Sequence, residues 1–527
     1  MRFASTTGVL LGLATASLLA GCPAFPGAVC DNGACDNLDG AAGDGIANDG
    51  ASGSDGANDG GVSQDGGDGG GSDGPSDALT DNWDGFDGFI CPTTAAPKDQ
   101  ACVIDESLGV FVSPTGNDST GAGTKAMPYA TIAKAMTSAK AASKRVYACA
   151  GTYTAALSVD AAVDGVKVYG GLKCTDWSYS GSKAIVAPTA AGYALVVSGL
   201  TTGITFEDFE FDAKDAVAAG ESSIAVKIVS SSGVVLRRVT ASAGTGRDGT
   251  TATQASQASS APNGHAASGT TGGAQCSNTC ADGNSIGGKG GDTTGAGSGD
   301  NGQPSLGGAP PNDGAGGAAF VLCSAGGTGN TGAAGTNGTA SSAPTTVGAL
   351  SSSAWTPSPG TTGSAATRAQ GGGGGGARQG GGGSGACGGC GGAGGGGGGG
   401  GGASIAIVVF QSTATIESSA LITKAGGNGG SGTAGQIGQA GGGGAAGAGT
   451  PAGCTGGDGA KGGNGGAGSG GAGGLSVGIL YKGTLPTVDS TTQSSFTGGA
   501  AGTAGQGGQP GVNNGPIGIA QAVLAAP

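Results

Sequence analysis

An apolar stretch from Gly8 to Ala20 follows the basic start Met1-Arg2, and no later stretch approaches the roughly 18 apolar residues of a membrane span. From 23 to about 89 apolar positions nearly vanish. Asp, Gly, Asn and Ser take over, as in Asp44-Gly45, Asp49-Gly50 and Asp65-Gly66-Gly67-Asp68. Such a segment self-repels and reads as an extended tether. Past Phe89 the apolar positions return, with Val110-Phe111-Val112 as a strand. Ile132, Ala135, Met136 and Ala139 then recur at helical spacing behind Thr131, a candidate N-cap, which predicts a helix over 131–144. Short apolar runs follow at 145–150, 163–169, 184–187, 193–197 and 204–211, each bounded by Gly, Asp or Ser. Evenly spaced short strands with turn residues predict an all-β fold.

The β-rich pattern repeats. Ser223-Ile224-Ala225-Val226 through Val234-Val235-Leu236 to Gly244 matches Ser404-Ile405-Ala406-Ile407 through Thr415-Ile416 to Gly426. Both match Ser476-Val477-Gly478-Ile479 through Val488 to Gly498, and 193–213 is a looser fourth copy. No such unit buries its apolar face alone, whereas stacked neighbours do. The copies should therefore lie on one another, and the glycine tracts at 246–402, 427–474 and 498–512 should leave side by side. The organisation expected is a signal segment 1–21, a tether 22–89, a β-rich part 90–245, an insertion 246–402, a repeat 403–426, an insertion 427–474 and a last repeat with tail at 475–527.

Composition sharpens this. Glycine supplies 126 of 527 residues, and charged residues only 11%. Glycine loses much backbone entropy on ordering and brings no side chain to bury, so the tracts cannot form an ordinary core. A net charge of −14 argues against nucleic acid, which requires clustered Lys and Arg. Of 13 cysteines, one has a separate role at the N-terminus, leaving an even set of 12. Cys276/Cys280 and Cys387/Cys390 have ligand-like gaps, but local disulfides are expected before a metal, and Cys30 and Cys35 are placed to close a small ring. The six tract cysteines could staple the tracts.

Leu19-Ala20-Gly21-Cys22 resembles the lipobox of bacterial lipoproteins. The resemblance implies cleavage before Cys22, lipidation of its thiol and anchoring in the cell envelope, in the outer membrane or at the cell surface. Val112-Ser113-Pro114-Thr115-Gly116-Asn117-Asp118, Gly123-Thr124, Pro128-Tyr129, Thr131-Ile132 and Ala135-Met136, with Gly151-Thr152-Tyr153 and Tyr169-Gly170-Gly171-Leu172, resemble the opening of a surface family in the pectin-lyase-like superfamily. It covers about 108–245 and implies a right-handed parallel β-helix with an N-terminal capping helix. Gly462-Gly463-Asn464-Gly465-Gly466-Ala467-Gly468 resembles the arrays of PGRS-type surface proteins. Bundled polyglycine-II helices and flexible loops are both open readings of the tracts.

Chemistry is sparse. Candidate catalytic residues are Asp208, Asp212, Arg237 and Arg238, with Glu207 and Asp215 nearby, and stacking could bring Asp208 to Arg238. The flanking alternation, Ile204-Thr205-Phe206 and Phe209-Glu210-Phe211, reads instead as ordinary strands with charges outside. His265 is the single histidine, no phosphate loop occurs, and wherever the pattern Gly-x-Ser-x-Gly falls, as at Gly70-Gly71-Ser72-Asp73-Gly74 in the tether, it lacks the apolar strand of a nucleophile elbow before it. Calcium is a weak expectation: acids alternate in the tether without the strict Asp-x-Asp-x-Asp-Gly spacing, and Gly287-Gly288-Lys289-Gly290-Gly291-Asp292 resembles only the start of a calcium β-roll repeat. Cys149 and Cys174 are placed to bridge neighbouring strands. Trp177 and Tyr179 could stack on a sugar, but a buried aromatic at a turn is the plainer reading. The expected function is a non-catalytic structural or adhesive surface lipoprotein, partnered by a membrane and by cell-surface polysaccharide or matrix; the alternative is a carbohydrate-binding or polysaccharide-degrading protein.

Overall fold

A computed structural model describes residues 91–254, 256, 259–306 and 313–527, all within the unit formed by 86–527. Cys22, Cys30, Cys35, the signal segment and the whole tether lie outside the described residues. The fold is mainly β, with three parallel sheets. Sheet I holds Gly109–Val112, Arg145–Cys149, Lys167–Leu172, Ile204–Glu207, Val234–Arg237, Ala414–Glu417 and Thr487–Val488 in parallel, with Tyr179–Ser182 antiparallel beside Lys167–Leu172. Sheet II holds Gly151–Tyr153, Ala184–Val186, Phe209–Asp212, Thr240–Ser242 and Ala420–Ile422. Sheet III holds Leu157–Val159, Leu195–Ser198, Ser223–Val229, Ser404–Phe410, Ser476–Lys482 and Ala520–Ala525. From Arg145 the chain visits the sheets in the order I, II, III and begins again.

Register makes the core columnar. Val146, Val168, Phe206, Leu236, Ile416 and Val488 are successive partners across sheet I. Leu157, Leu195, Val226, Ile407, Ile479 and Val523 do the same across sheet III. These columns meet Phe209, Phe211 and Leu421 of sheet II in one interior. Each buried Val, Leu or Ile contributes about 1.5–3 kcal/mol, so a side chain moved out of its column is expensive. The three repeats are adjacent: Ser223 pairs with Ser404, and Ser404 with Ser476. Their opening serines are buried and tie to the end of the same repeat, Ser223 Oγ accepting from Gly244 N and Ser404 Oγ from Lys424 N.

Sheet III is apolar on its outer face too. Ile224, Ile405, Val408, Val477 and Leu480 pack there against Trp355 and Leu350 of a hairpin, Gly348–Leu350 with Trp355–Pro357, that returns from the first insertion. This double burial explains the unbroken run Ile405–Phe410. At the N-terminal end, helix α1, Ile132–Ala141, is capped by Thr131, whose hydroxyl accepts from Lys134 N at 3.3 Å. It buries the four apolar positions its spacing marks and packs on strands of sheets I and III.

The run 204–211, read from sequence as one element, is two strands. Asp208 breaks it with φ +60°, turning the chain from sheet I to sheet II. Arg238 and Ser418 hold the same left-handed conformation at the same corner of the next two passes, φ +54° and +50°. A single left-handed residue makes the corner at a cost that non-glycine residues rarely bear.

The described stretches of the glycine tracts are ordered. They run as extended segments whose main-chain bonds recur every third residue, the period of a threefold polyglycine-II helix. Segment 371–377 is wholly buried and has six neighbours. Gly371, Gly374 and Ala377 donate to Gln303, Asp300 and Gly297; Gly372 and Gly375 to Ala386 and Gly383; Gly373 and Gly376 to Asn330 and Gly327. Its carbonyls accept from 288/291, 317/320 and 454/457. Positive φ marks turns between segments, as at Gly269, Gly297, Gly326, Gly449 and Gly511. Within segments glycine is needed for proximity instead: a Cβ on Gly374 would lie 1.9 Å from Lys289 O, and one on Gly383 1.9 Å from Ala445 O.

The sheets hand their register to the bundle. Ala243 N donates to Ile422 O at the edge of sheet II, and the same ladder continues through Gly246 to Ala425, Gly249 to Asn428, Ala252 to Ser431, Ala261 to Ala440 and Gly264 to Gly443. The second tract repeats this against the third, from Gly426 to Ala500, Gly429 to Thr503 and Gly432 to Gln506.

Candidate functional site

The carboxylates and guanidiniums singled out in the sequence occupy the outer side of sheet I. One row across that sheet reads Phe111, Tyr147, Tyr169, Glu207, Arg237, Glu417, each paired with the next. The aromatic end is sealed: Phe111 meets Trp177 edge-on at 4.8 Å, and Trp177 is buried with its Nε1 donating to Lys125 O at 3.1 Å. Trp177 therefore offers no face to a sugar. The charged end forms a grid, because Asp208 and Arg238 follow Glu207 and Arg237 at the left-handed corner.

Arg238 donates from Nε to Asp208 Oδ1 at 2.9 Å, and from Nη2 to Asp208 Oδ2 at 2.9 Å and Glu207 Oε2 at 2.7 Å. Arg237 donates from Nη1 to Glu207 Oε1 at 2.8 Å and from Nε to Glu417 Oε2 at 2.9 Å. Tyr179 donates its hydroxyl to Asp208 Oδ2 at 3.2 Å; burial, then the Asp208 charge, pushes that phenol above its usual value. Burial works against the Arg238 guanidinium, but its bonds to Asp208 and Glu207 outweigh this and hold it charged.

Two expectations are corrected here. The charges are not all on a solvated face: Glu207 and Asp208 side chains are only 3% and 6% exposed, although Arg237 and Glu417 are 40% and 35% exposed. Nor do the four candidates form one group. Asp208, Arg237 and Arg238 converge, whereas Asp212 lies at the far end of its strand in sheet II, paired with Ser242, and joins no ion pair of the described residues. Every carboxylate oxygen of Glu207 and Asp208 accepts from a guanidinium. With both carboxylates tied to guanidiniums, the grid acts as a clamp between passes. Its span matters: Arg237 and Glu417 are joined across 180 residues, bridging the whole first insertion. The sequence reading missed Glu417, although aligning the repeats puts it opposite Arg237.

A cleft of about 390 Å³ opens beside the grid, walled by Thr94, Ala95 and Asp99 on one side and Lys167, Glu207 and Arg237 on the other. Its outer wall is the loop closed by Cys91–Cys102 and held by Arg145 Nη1 donating to Ala95 O at 2.7 Å.

All ten described cysteines are paired. Cys149 and Cys174 are bonded at 2.08 Å beside sheet I. The expectation of local bridges at Cys276/Cys280 and Cys387/Cys390 is corrected: the pairs are Cys276–Cys387 and Cys280–Cys390, with Cys323–Cys454 as a third. The reason is the lattice. It sets the hairpin Ser277–Cys280 with Gly283–Ile286 alongside segment 385–390, so each cysteine meets one about 110 residues away rather than its near neighbour. Among the described residues no group of three or more His, Cys, Asp or Glu converges to hold a metal ion. His265 is exposed, with Nδ1 3.0 Å from Ala274 O. No described helix is long and apolar enough to cross a membrane. No family model matches the chain, and no curated protein sequence matches it.

A second carboxylate also went unnoticed in the sequence. Asp164 is buried at the turn before Lys167–Leu172 and accepts from the N–H groups of Thr201, Thr202 and Gly203 and the Thr201 hydroxyl. Burial raises this carboxyl, but the backbone donors outweigh it and hold it far below the usual carboxylate range.

Proposed function

We propose that the chain is a lipoprotein of the bacterial cell envelope, anchored through Cys22, in which a right-handed parallel β-helix of the pectin-lyase-like kind carries a polyglycine-II bundle as a non-catalytic surface scaffold. The observation that carries the scaffold reading is the continuous three-residue ladder from sheet II into the bundle. Such a ladder makes a stiff body out of sequence that could otherwise only be a linker. The grid supports it from the other side, since its two buried carboxylates are paired with guanidiniums between passes. The lipobox resemblance, Leu19-Ala20-Gly21-Cys22, supports the anchor. The partners that follow are a membrane, through the lipid, and surface polysaccharide or matrix, without nucleic acid, metal or cofactor.

The anchor predicts that Cys22→Ala moves the protein from the membrane to the soluble fraction and that globomycin blocks processing of the parent. Unchanged fractionation of the variant defeats the anchoring claim. A second reading, a carbohydrate-binding or polysaccharide-degrading protein, is favoured by the cleft beside Lys167, Glu207 and Arg237. Glycan-array binding or cleavage of pectate or alginate by the purified chain, lost in Arg237→Ala, would establish it over the scaffold.

A further inference from the structure

The bundle contains one lattice position that is filled along part of its length and then left open. Segment 498–508 lies between segments 425–448 and 453–474. One row of bonds runs from Gly426, Gly429 and Gly432 to Ala500, Thr503 and Gln506; a second runs from Gly502, Gly505 and Gly508 to the carbonyls of Gly474, Gly471 and Gly468. The chain then turns out of the lattice at Gln509-Pro510 and returns beside Gly470 and Gly473, which donate to Asn513 and Pro516. The next members of these three rows are Gly435 N–H, the Gly465 carbonyl and Ala467 N–H. None of the three bonds to a described residue. One period further, the row is closed again by a side chain, as Asn464 Oδ1 accepts from Gly438 N.

The gap is therefore one turn long, roughly 9 Å for three residues at polyglycine-II rise. It forms a bay of about 390 Å³ lined by Gly338, Ala340, Ala434, Gly435, Gly465 and Ala467, with the amides of Asn337, Asn464 and Gln509 at its rim. Bulky apolar side chains are scarce on the bundle surface, yet two stand near this bay. Ile437, one period along the row from Ala434, is 57% exposed, and Val512, two residues past Pro510, is 66% exposed.

We infer that this bay is a docking site for a glycine-rich segment of a partner protein, which enters as a polyglycine-II turn and continues the position held by 498–508. The partner's chemistry is set by what already sits there. Segment 500–508, Ala-Ala-Gly-Thr-Ala-Gly-Gln-Gly-Gly, places its main chain close enough to bond to two neighbours at once. An incoming turn supplies a carbonyl for Gly435 N–H and an N–H for the Gly465 carbonyl, and passes beside Ala467, whose N–H faces the neighbouring position held further along by 513–516. The face it presents to Gly465 must be glycine, because a Cβ within this lattice falls about 2 Å from a carbonyl oxygen, as at Gly435 against Gly465 O, 2.0 Å. The recognition is main chain to main chain, as in strand addition to a sheet edge, but with threefold rather than twofold periodicity. It rests on the bundle alone and stands whether or not the chain is lipid-anchored.

The test is a titration of the full-length protein, labelled with ¹⁵N at glycine and alanine, with the peptide acetyl-(Gly-Gly-Ala)₄-amide. A control peptide carries Val at every first glycine of the triplet. Saturable shifts of Gly435 and Ala467 by the glycine peptide alone are expected, with a dissociation constant on the order of 1 mM for a single turn. Ala434→Leu or Ala340→Leu, on opposite walls of the bay, should each weaken binding at least about tenfold. Ala266→Leu, on another exposed segment, should not. Because Ala434 and Ala340 are exposed, an unchanged thermal midpoint in each variant shows that the fold is kept. No saturable shift, equal binding of the control peptide, or equal binding by the Leu variants overturns the proposal. So does concentration-dependent self-association that moves the same two amides without peptide, which would assign the bay to a second copy.

Discussion

Asp164 shows how a single side chain can govern a turn. Its folded carboxyl titrates well below the unfolded value near 3.9, because three amides and a hydroxyl favour the charged form. A depressed carboxyl contributes stability that is complete above the unfolded pKa and is lost as pH falls through the folded one. Asp164→Asn should therefore destabilise at pH 7 and flatten the fall in stability between pH 4 and 2, measured by denaturant unfolding at several pH values. Glycines divide by a different criterion, the space around a missing Cβ. Gly374→Ala meets Lys289 O at 1.9 Å, whereas at Gly443 nothing lies nearer than 3.8 Å. The first should cost about 1–3 kcal/mol or more by overpacking. The second should be neutral or stabilising by up to about 1 kcal/mol, through a less flexible unfolded chain. Thermal midpoints of the two variants check this. Asn-Gly steps offer a further readout. Gly338, Gly429 and Gly465 follow asparagine, and each uses its N–H in a lattice bond, so attack on the preceding amide is blocked. Peptide mapping after alkaline incubation should find Asn337, Asn428 and Asn464 intact until the bundle unfolds.

Among elements, the passes of sheet I are joined by charge as well as by main-chain bonds. Removing Arg238 leaves Glu207 and Asp208 buried with one guanidinium between them, so Arg238→Ala should cost about 3–5 kcal/mol. Arg238→Lys should recover little, because an ammonium lacks the planar fork that grips both Asp208 oxygens while also reaching Glu207. Glu207→Gln in the Arg238→Ala background should restore part of the loss in a double-mutant cycle. The strands and α1 were legible in the sequence because apolar periodicity reports directly on a two-sided environment: Ile132, Ala135, Met136 and Ala139 are the buried face of the helix. The grid was legible only in part. Asp208 and Arg238 lie 30 residues apart, one pass of the chain, and the repeat suggests their proximity. Their burial was not foreseeable, since it comes from Tyr179 and the 91–103 loop, which belong to no repeat. The pairing of Cys276 with Cys387 was likewise hidden, because glycine tracts carry no pattern that fixes which segments are neighbours.

Across the whole molecule, two kinds of order meet. The sheets are held by a packed interior, and the bundle by main-chain bonds among segments that bring few side chains to bury. A main-chain hydrogen bond yields about 0.5–1.5 kcal/mol net, against about 1–2 kcal/mol for fixing a residue's backbone. A free glycine bundle would thus be marginal. This one starts from a register already fixed by the sheets and is closed by disulfides spanning 111, 110 and 131 residues. In the chain-entropy account such long loops stabilise by about 4–5 kcal/mol each. Reduction should then release the bundle before the sheets. Hydrogen exchange is the readout: amides of 371–377 and 456–474 should be protected to near the global limit when oxidised and lose that protection under dithiothreitol, while those of 204–207 and 404–410 persist.

The three-residue ladder also fixes how this chain can change length. Along 456–474, Asp458, Lys461, Asn464 and Ala467 fall on one side of the segment. Deleting a single residue upstream turns every later side chain by a third of a revolution, which drives Asp458 and Lys461 against the axis of a neighbour. Deleting three shortens the segment and leaves each face as it was. A bundle of this kind reads its own sequence in triplets, and its tracts can grow or shrink by whole turns but not by fractions of one.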